Sequence, residues 1–245
     1  MLYQLSYTPV TWANRRPRTP APAEIEKVDI VAATAGASRV WTITPPGPGG
    51  KEPQAVDHEA IVERIGRAER AIASLRGVAG DVAALLDAAA GVAAGGGTLL
   101  TCGNGGSAAH ALHLAEELIG KYSRPRDPIP AICLNADPTA LTCIANDFGY
   151  DEVFARQVRA LARPGDAVVG ISTSGGSANV LAALRAAREA GALALGLLGR
   201  GGGDALGLCD HAVVVPTDDA ETVQEAHQVL VHLLVEGIEE RATGA

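Results

Sequence analysis

Apolar positions along the chain change their spacing near residue 56, and that change divides the sequence. Beyond it, Ile61, Ile65, Ala68 and Ile72 recur on one helical face, as do Val82, Leu85 and Ala89. Two helices are therefore expected, over His58–Leu75 and Val78–Ala94, the second stopped by Gly95, Gly96 and Gly97. Short, nearly continuous apolar runs follow at Thr98–Cys102, Ile129–Leu134, Ala167–Ser172, Leu193–Leu198 and His211–Val215. Such runs suit strands covered on both faces. Helical stretches alternate with them near Ser107–Gly120, Pro138–Ala145, Glu152–Leu161, Ser177–Ala190 and Gly203–Leu208, and a long last helix spans Ala220–Arg241. The alternation predicts an α/β fold: a three-layer sandwich around a five-stranded parallel sheet, preceded by a helical hairpin.

Residues 1–55 differ in kind. They hold both tryptophans and end in TPPGPGGKEPQ, a Pro/Gly linker composition, with one strand expected around Ala37–Ile43. The reading is a disordered or loosely attached extension, with residues 56–245 as the folded domain. The stretch LYQLSYTPV also raises an upstream-start artefact as an explanation of the extension.

Composition narrows the picture. Of 245 residues 47% are apolar but only 3% aromatic, so the core is built from Ala, Val, Leu and Ile. A net charge of −8 argues against nucleic acid and anionic membrane as partners. Four scattered cysteines without a CxxC pair read as reduced thiols. The first residues lack the apolar core of a secretory signal, and no stretch offers about 18 uninterrupted apolar residues. A cytoplasmic protein is expected.

Two strand ends carry similar chemistry, LLTC-GNGGS-AAHAL and VVGI-STSGGS-ANVLAAL. Small hydroxyl, amide and glycine residues between a strand and a helix start leave backbone N–H groups open to an anion. Ser172, Thr173, Ser174 and Ser177 add neutral hydroxyl donors. Turn and capping roles would account for one such loop. Two of them favour a phosphorylated small molecule, and neither fits the GxGxxG or GxxxxGK[ST] nucleotide patterns.

The helix after the first loop carries His110, His113, Glu116 and Glu117. His113 and Glu117, four apart, stack one turn above the other and can grip one ion, while Glu116 then points elsewhere. A solvated flank with a chance ion pair explains the same residues. The last helix bears on the choice, because Gln224, Gln228 and His232 form a polar stripe in an apolar segment and need partners. Zinc held by His113, Glu117 and His232 would satisfy several of them together.

GNGGS with HLAEE, ANDFGYDEVFARQV, GISTSGGSANVLAAL and VQEAHQVLVH, in that order, resemble the phosphoheptose isomerase branch of the sugar isomerase (SIS) domain family over about residues 57–240. The resemblance implies a flavodoxin-like sheet and one zinc ion per subunit on His113, Glu117, Gln224 and His232. His110, His227 and Gln228 receive no role from it. It makes Glu117 the base and His232 the proton-transferring partner of an aldose–ketose isomerisation, with sedoheptulose 7-phosphate as substrate. Asn104, Gly105, Gly106, Asn146 and Asp147 become substrate-binding positions beside Glu117 and Gln224, and Ser172, Thr173, Ser174 and Ser177 take the phosphate. It also implies a homotetramer with active sites at subunit contacts. Two departures, Lys121 for a common Arg and Glu221 for a common Asp, bear on the choice of sugar. The competing readings are a non-catalytic SIS protein binding a sugar phosphate or a replication-initiation partner, and an isomerase of another sugar phosphate.

Overall fold

A computed structural model describes residues 29–35, 38–44 and 57–243. Its contacts divide the chain into Met1–Val56 and Asp57–Ala245. In the first unit, β1 (Asp29–Ala35) and β2 (Ser38–Thr44) form an antiparallel hairpin in which Ala32 faces Trp41. The expected strand at Ala37–Ile43 is β2, but its partner was not anticipated. DIVAATA is rich in alanine and lacks the bulky alternation that marks a strand. Residues 1–28 and 45–56, with the linker and the question of the start, lie outside the described residues.

The second unit opens with α1 (His58–Ser74), capped by the Asp57 carboxylate, which accepts from the Glu59 N–H at 3.0 Å. A 3-10 turn at Leu75–Val78 leads to α2 (Ala79–Ala94). The strands are β3 (Leu99–Gly103), β4 (Ala131–Cys133), β5 (Ala167–Ser172), β6 (Leu193–Leu198) and β7 (His211–Val214). Between them lie α3 (Gly106–Ile119), α4 (Pro138–Phe148), α5 (Ala155–Leu161), α6 (Ala178–Glu189) and α7 (Gly203–Leu206), and α8 (Ala220–Thr243) closes the chain. All five strands are parallel, in the order β4-β3-β5-β6-β7. Counted from β3 this is the flavodoxin-like order 2-1-3-4-5.

Successive strand residues feed opposite layers, as the two-residue period requires. Leu99, Val169, Ile171, Leu195 and Leu197 pack with α2, α3 and α8, whereas Leu100, Val168, Ala194 and Leu198 pack with α5 and α6. Since α3 and α6 follow neighbouring strands but cover opposite faces, the crevice between them lies at the strand ends of β3 and β5. That is where ligands bind in open α/β sheets.

Three boundaries differ from expectation. Helix α4 runs on through Asn146 and Asp147 to Phe148, so these two sit in its last turn. The start of the next helix becomes a separate 3-10 turn, Tyr150–Glu152. Strand β4 shrinks to three residues because Pro128 and Pro130 deny it donors. Counting uninterrupted apolar residues also passed over His58–Ala94, which by length and hydropathy alone could cross a membrane. It is two helices rather than one, and α2 lays Leu85, Ala89, Ala90 and Val92 into the core.

Candidate active site

The first loop is held from both sides. Asn135, just past β4, accepts from the Gly103 N–H at 3.2 Å and donates to its carbonyl at 2.9 Å. Gly106, the first residue of α3, lies against Gln224 of α8, and a Cβ there would stand 2.5 Å from the glutamine amide. A side chain at 106 would push the Gln224 amide from this position. Asn104 reaches the second loop instead: its Nδ2 donates to Asn179 Oδ1 at 2.8 Å and its Oδ1 accepts from Asn179 Nδ2 at 2.9 Å.

The second loop folds its hydroxyls over its own backbone. Ser172 is buried and accepts from the Gly175 N–H at 3.1 Å, and its oxygen is 3.3 Å from Ser177 Oγ. Ser174 Oγ accepts from the Gly176 N–H at 3.2 Å. Gly175 has φ of 63°, and a Cβ would collide with Gly202 O at 1.9 Å, so the turn admits no other residue. Ser177 occupies the N-cap of α6 but makes no side-chain cap there. Ser177 thus leaves the positive end of that helix facing the loop, where Asn179 Oδ1 takes the Val180 N–H.

The histidine-bearing helices meet beside these loops. His113 Nε2 is 3.3 Å from Glu117 Oε1, and the His113 and His232 rings stand perpendicular with centroids 5.3 Å apart. Gln228 lies between them, its Nε2 3.1 Å from His113 Nδ1 and 3.0 Å from His232 Nε2. Its Oε1 also lies 3.4 Å from His113 Nδ1, so the Gln228 amide bridges the two imidazoles, and the tautomers decide which nitrogens accept. Glu116, expected to point away, has a carboxylate oxygen within 4.8 Å of donor atoms of His113 and Glu117, although it is exposed. Gln224 is one turn before Gln228 and lines a recess of about 270 Å3 with Arg64, His110, Glu221, Glu225 and Gln228. Arg64 of α1 holds Glu225 at 2.7 Å and Glu221 at 3.4 Å, so the departure at Glu221 serves an ion pair at the rim of the recess.

A buried pair ties the two helices together. Arg126 Nε contacts Glu239 Oε1 at 3.2 Å, with both side chains almost wholly buried. Arg126 also donates to the carbonyls of Glu117 at 2.7 Å and Leu118 at 2.8 Å. Glu239 accepts the N–H groups of Tyr122, Ser123 and Arg124 and the Ser123 hydroxyl. Burial alone would raise its carboxyl, but the donors from Ser123, Tyr122 and Arg124 outweigh it and hold the group down at about 2. The same loop sets the Tyr122 ring 5.7 Å from that of His232.

Asn146 and Asp147 are brought to neither helix pair nor phosphate loop by a direct contact; Asn146 Nδ2 donates to Asp147 Oδ1 at 2.7 Å and both are exposed. Their link to the site is Tyr150, whose hydroxyl donates to Asn104 Oδ1 at 3.2 Å. Burial, then the nearby His113, lowers the His110 pKa; burial lowers that of His227 to about 4. His227 places Nε2 3.3 Å from the Leu198 carbonyl and its ring edge-on to His110, with centroids 6.4 Å apart, and is core rather than site. Sequence reasoning missed Asn135, Asn179, Arg126 and Glu239 and passed over Gln228. The signal for Glu239 was present, since it falls seven residues after His232 on the same stripe of α8.

Residues 67–199 match the SIS domain family. The chain belongs to that family. It is 54% identical over 158 residues to a phosphoheptose isomerase of Solidesulfovibrio magneticus, a match spanning 63% of this chain and 77% of that one. A phosphoheptose isomerase of Geotalea daltonii is 44% identical over 187 residues, or 76% of this chain and 93% of the relative. The solved phosphoheptose isomerase of Neisseria gonorrhoeae superposes with a TM-score of 0.70 at 36% identity, covering 74% of this chain and 98% of that one. The SIS domain here therefore carries its loops and histidine helices on a sheet shared with those enzymes.

Proposed function

We infer that this SIS domain is a phosphoheptose isomerase, converting sedoheptulose 7-phosphate to D-glycero-D-manno-heptose 7-phosphate at the start of heptose biosynthesis. The observation that carries the reading is the meeting of His113, Glu117 and His232 between α3 and α8, beside a loop pressed against Gln224. A protein that only bound a sugar phosphate would need the hydroxyl loop but no carboxylate and imidazole facing each other behind it.

The chemistry follows from these groups. Glu117 takes a proton from C1 of the ketose, and the electron pair forms the C1–C2 double bond as charge moves onto O2. His232 returns a proton to C2 while the proton on O1 passes to O2, leaving an aldehyde at C1. Ser172, Thr173, Ser174 and Ser177 hold the phosphate through hydroxyls and the first turn of α6. Asn104, Gly105 and Gly106 lie along the sugar, with Asn146 and Asp147 contributing toward its hydroxyls from the end of α4.

The donor set suits a zinc ion. His113 Nε2 faces the Glu117 carboxylate at 3.3 Å, and His113 Nδ1 and His232 Nε2 both lie on the Gln228 amide, so two imidazoles and a carboxylate stand together as nitrogen and oxygen donors. His113, Glu117, Gln224 and His232 would hold one ion per subunit, which when bound supplies Lewis-acid polarisation of the sugar oxygens. The chain is read as a cytoplasmic homotetramer with active sites at subunit contacts. Exposed Ile61, Val62, Ile65 and Ile72 along α1 supply an apolar face for such packing.

The test is purified protein with sedoheptulose 7-phosphate, with and without a chelator, followed by NMR for the aldose. Turnover that a chelator abolishes and zinc restores is expected, and no turnover with zinc present would refute the reading. Zinc content of the His113→Ala, His232→Ala variant checks the site separately. It should fall to background.

A further inference from the structure

We propose that Asn179, on the buried first turn of α6, is a positioning residue that locks Asn104 as a one-sided hydrogen-bond donor to the substrate. The argument begins at a group whose role cannot be reversed. The Val180 backbone N–H can only donate, and it donates to Asn179 Oδ1 at 2.9 Å. That fixes which end of the Asn179 amide is oxygen. Asn179 Oδ1 then also accepts Asn104 Nδ2 at 2.8 Å, and Asn179 Nδ2 donates to Asn104 Oδ1 at 2.9 Å. The orientation of the second amide follows from the first.

Tyr150 completes the lock. Its hydroxyl donates to Asn104 Oδ1 at 3.2 Å, so that oxygen receives two hydrogens and its accepting capacity is used. One Asn104 N–H goes to Asn179, and the other has no partner among the described residues. Asn104 therefore offers a single N–H and no acceptor. It suits an oxygen of the sugar, carbonyl or hydroxyl, and would leave a donor-only group unmatched. Asn179 is itself only 2% exposed, so it can act on substrate only through Asn104.

The placement explains why the lock matters. Asn104 belongs to the loop after β3 and Asn179 to the helix after β5, so the amide pair bridges the point where the two helices leave for opposite faces of the sheet. A free amide on a glycine-flanked turn would sample both orientations and lose rotamer entropy on binding. Here that ordering is completed before substrate arrives. The identity of the ligand rests on the isomerase reading; the locked amide does not.

Asn179→Asp separates the roles. It keeps an acceptor for the Val180 N–H and for Asn104 Nδ2, but turns an oxygen toward Asn104 Oδ1. Its thermal midpoint should drop, because a buried carboxylate oxygen then faces Asn104 Oδ1, and kcat/KM for sedoheptulose 7-phosphate, read well below that midpoint, falls about tenfold or more. Asn104→Ala should lose a similar factor, and adding Asn179→Asp to it should cost nothing further. Should Asn179→Asp fail to fold, Tyr150→Phe, on an exposed side chain, carries the test with a loss of about threefold that vanishes in the Asn104→Ala background. Full additivity with Asn104→Ala, or kcat/KM unchanged in the folded variants, overturns the proposal. Wild type inactive on this sugar would refute the isomerase reading instead. In that case the side-chain NH2 signals of Asn104 in 15N-labelled protein decide: a separation of the two proton shifts wider than in a free asparagine, which narrows to the free value in Asn179→Asp, supports the lock, and the free-asparagine separation in wild type overturns it.

Discussion

Glu117 shows how much one side chain is asked to do. Its carboxylate faces His113 at 3.3 Å, its own carbonyl is held by Arg126, and it stands in the proposed mechanism as the base. Glu117→Gln keeps the volume and the helix but removes the basic oxygen, and general base help is worth roughly 100 to 10,000-fold. We expect kcat to fall at least about 100-fold with an unchanged thermal midpoint, measured by NMR turnover and circular dichroism on the same preparation. Gln228 illustrates what spacing alone could not settle. The stripe Gln224, Gln228, His232 was legible as three polar residues needing partners. Which glutamine sits between the imidazoles and which lies on Gly106 depends on how α8 crosses α3, a tertiary fact. Asn179 was hidden for a similar reason: among the described residues its side chain meets its neighbour's N–H and a side chain 75 residues away.

At the scale of elements, the strands were readable because both faces of a parallel sheet are buried, which leaves apolar runs with few alternatives. Strands β5 and β6 fall at their expected limits. Helix ends were less legible where a proline or a polar residue could belong to either side, as at β4 and at Asn146–Asp147. The clamp of Arg126 and Glu239 was invisible, since it joins a loop to a helix across 113 residues. That clamp fixes the ends of α3 and α8, the two helices that carry His113, Glu117 and His232. Arg126→Ala would take the cationic partner from the buried Glu239 carboxylate and free the carbonyls of Glu117 and Leu118. Removing one partner of a buried pair costs about 3–5 kcal/mol, so the urea midpoint should drop markedly. Zinc affinity should weaken with it, because the helix ends lose their common anchor. Arg126→Lys, with charge but no fork, should fall between the two.

For the whole molecule, His227 and Glu239 shape the acid side of stability, with the lowered His110 acting in the same direction as His227. His227 is neutral in the core, its pKa lowered by burial from 6.5 to about 4, so below pH 6.5 the unfolded chain binds a proton that the folded one refuses. Stability should fall as pH drops from about 6.5 to 4, by on the order of 3 kcal/mol from this residue. Glu239, held at about 2 against an ordinary 4.5, adds a loss from about pH 4.5 downward, as its carboxylate is protonated first in the unfolded state. Urea denaturation against pH reads these contributions, and His227→Gln should make the upper segment shallower, with the His110 part remaining, while leaving the lower one.

The apolar face of α1 supplies the last expectation. Ile61, Val62 and Ile65 are each 45–54% exposed and Ile72 is 39% exposed, an arrangement that a helix retains when another surface covers it. Arg64 and Arg67, on the same helix, reach Glu225 and Asp219, so α1 is anchored by ion pairs on one side and left apolar on another. If that face packs against further copies of the chain, Ile61→Glu with Ile65→Glu should shift the mass seen in sedimentation from a tetramer toward smaller species. Because the recess lined by Arg64, His110 and Gln224 opens next to α1, activity should fall together with the mass. A chain beginning at Val56 should keep both the subunit number and the activity of the full one. Separation of mass and activity in the glutamate variant would place the active site within one subunit.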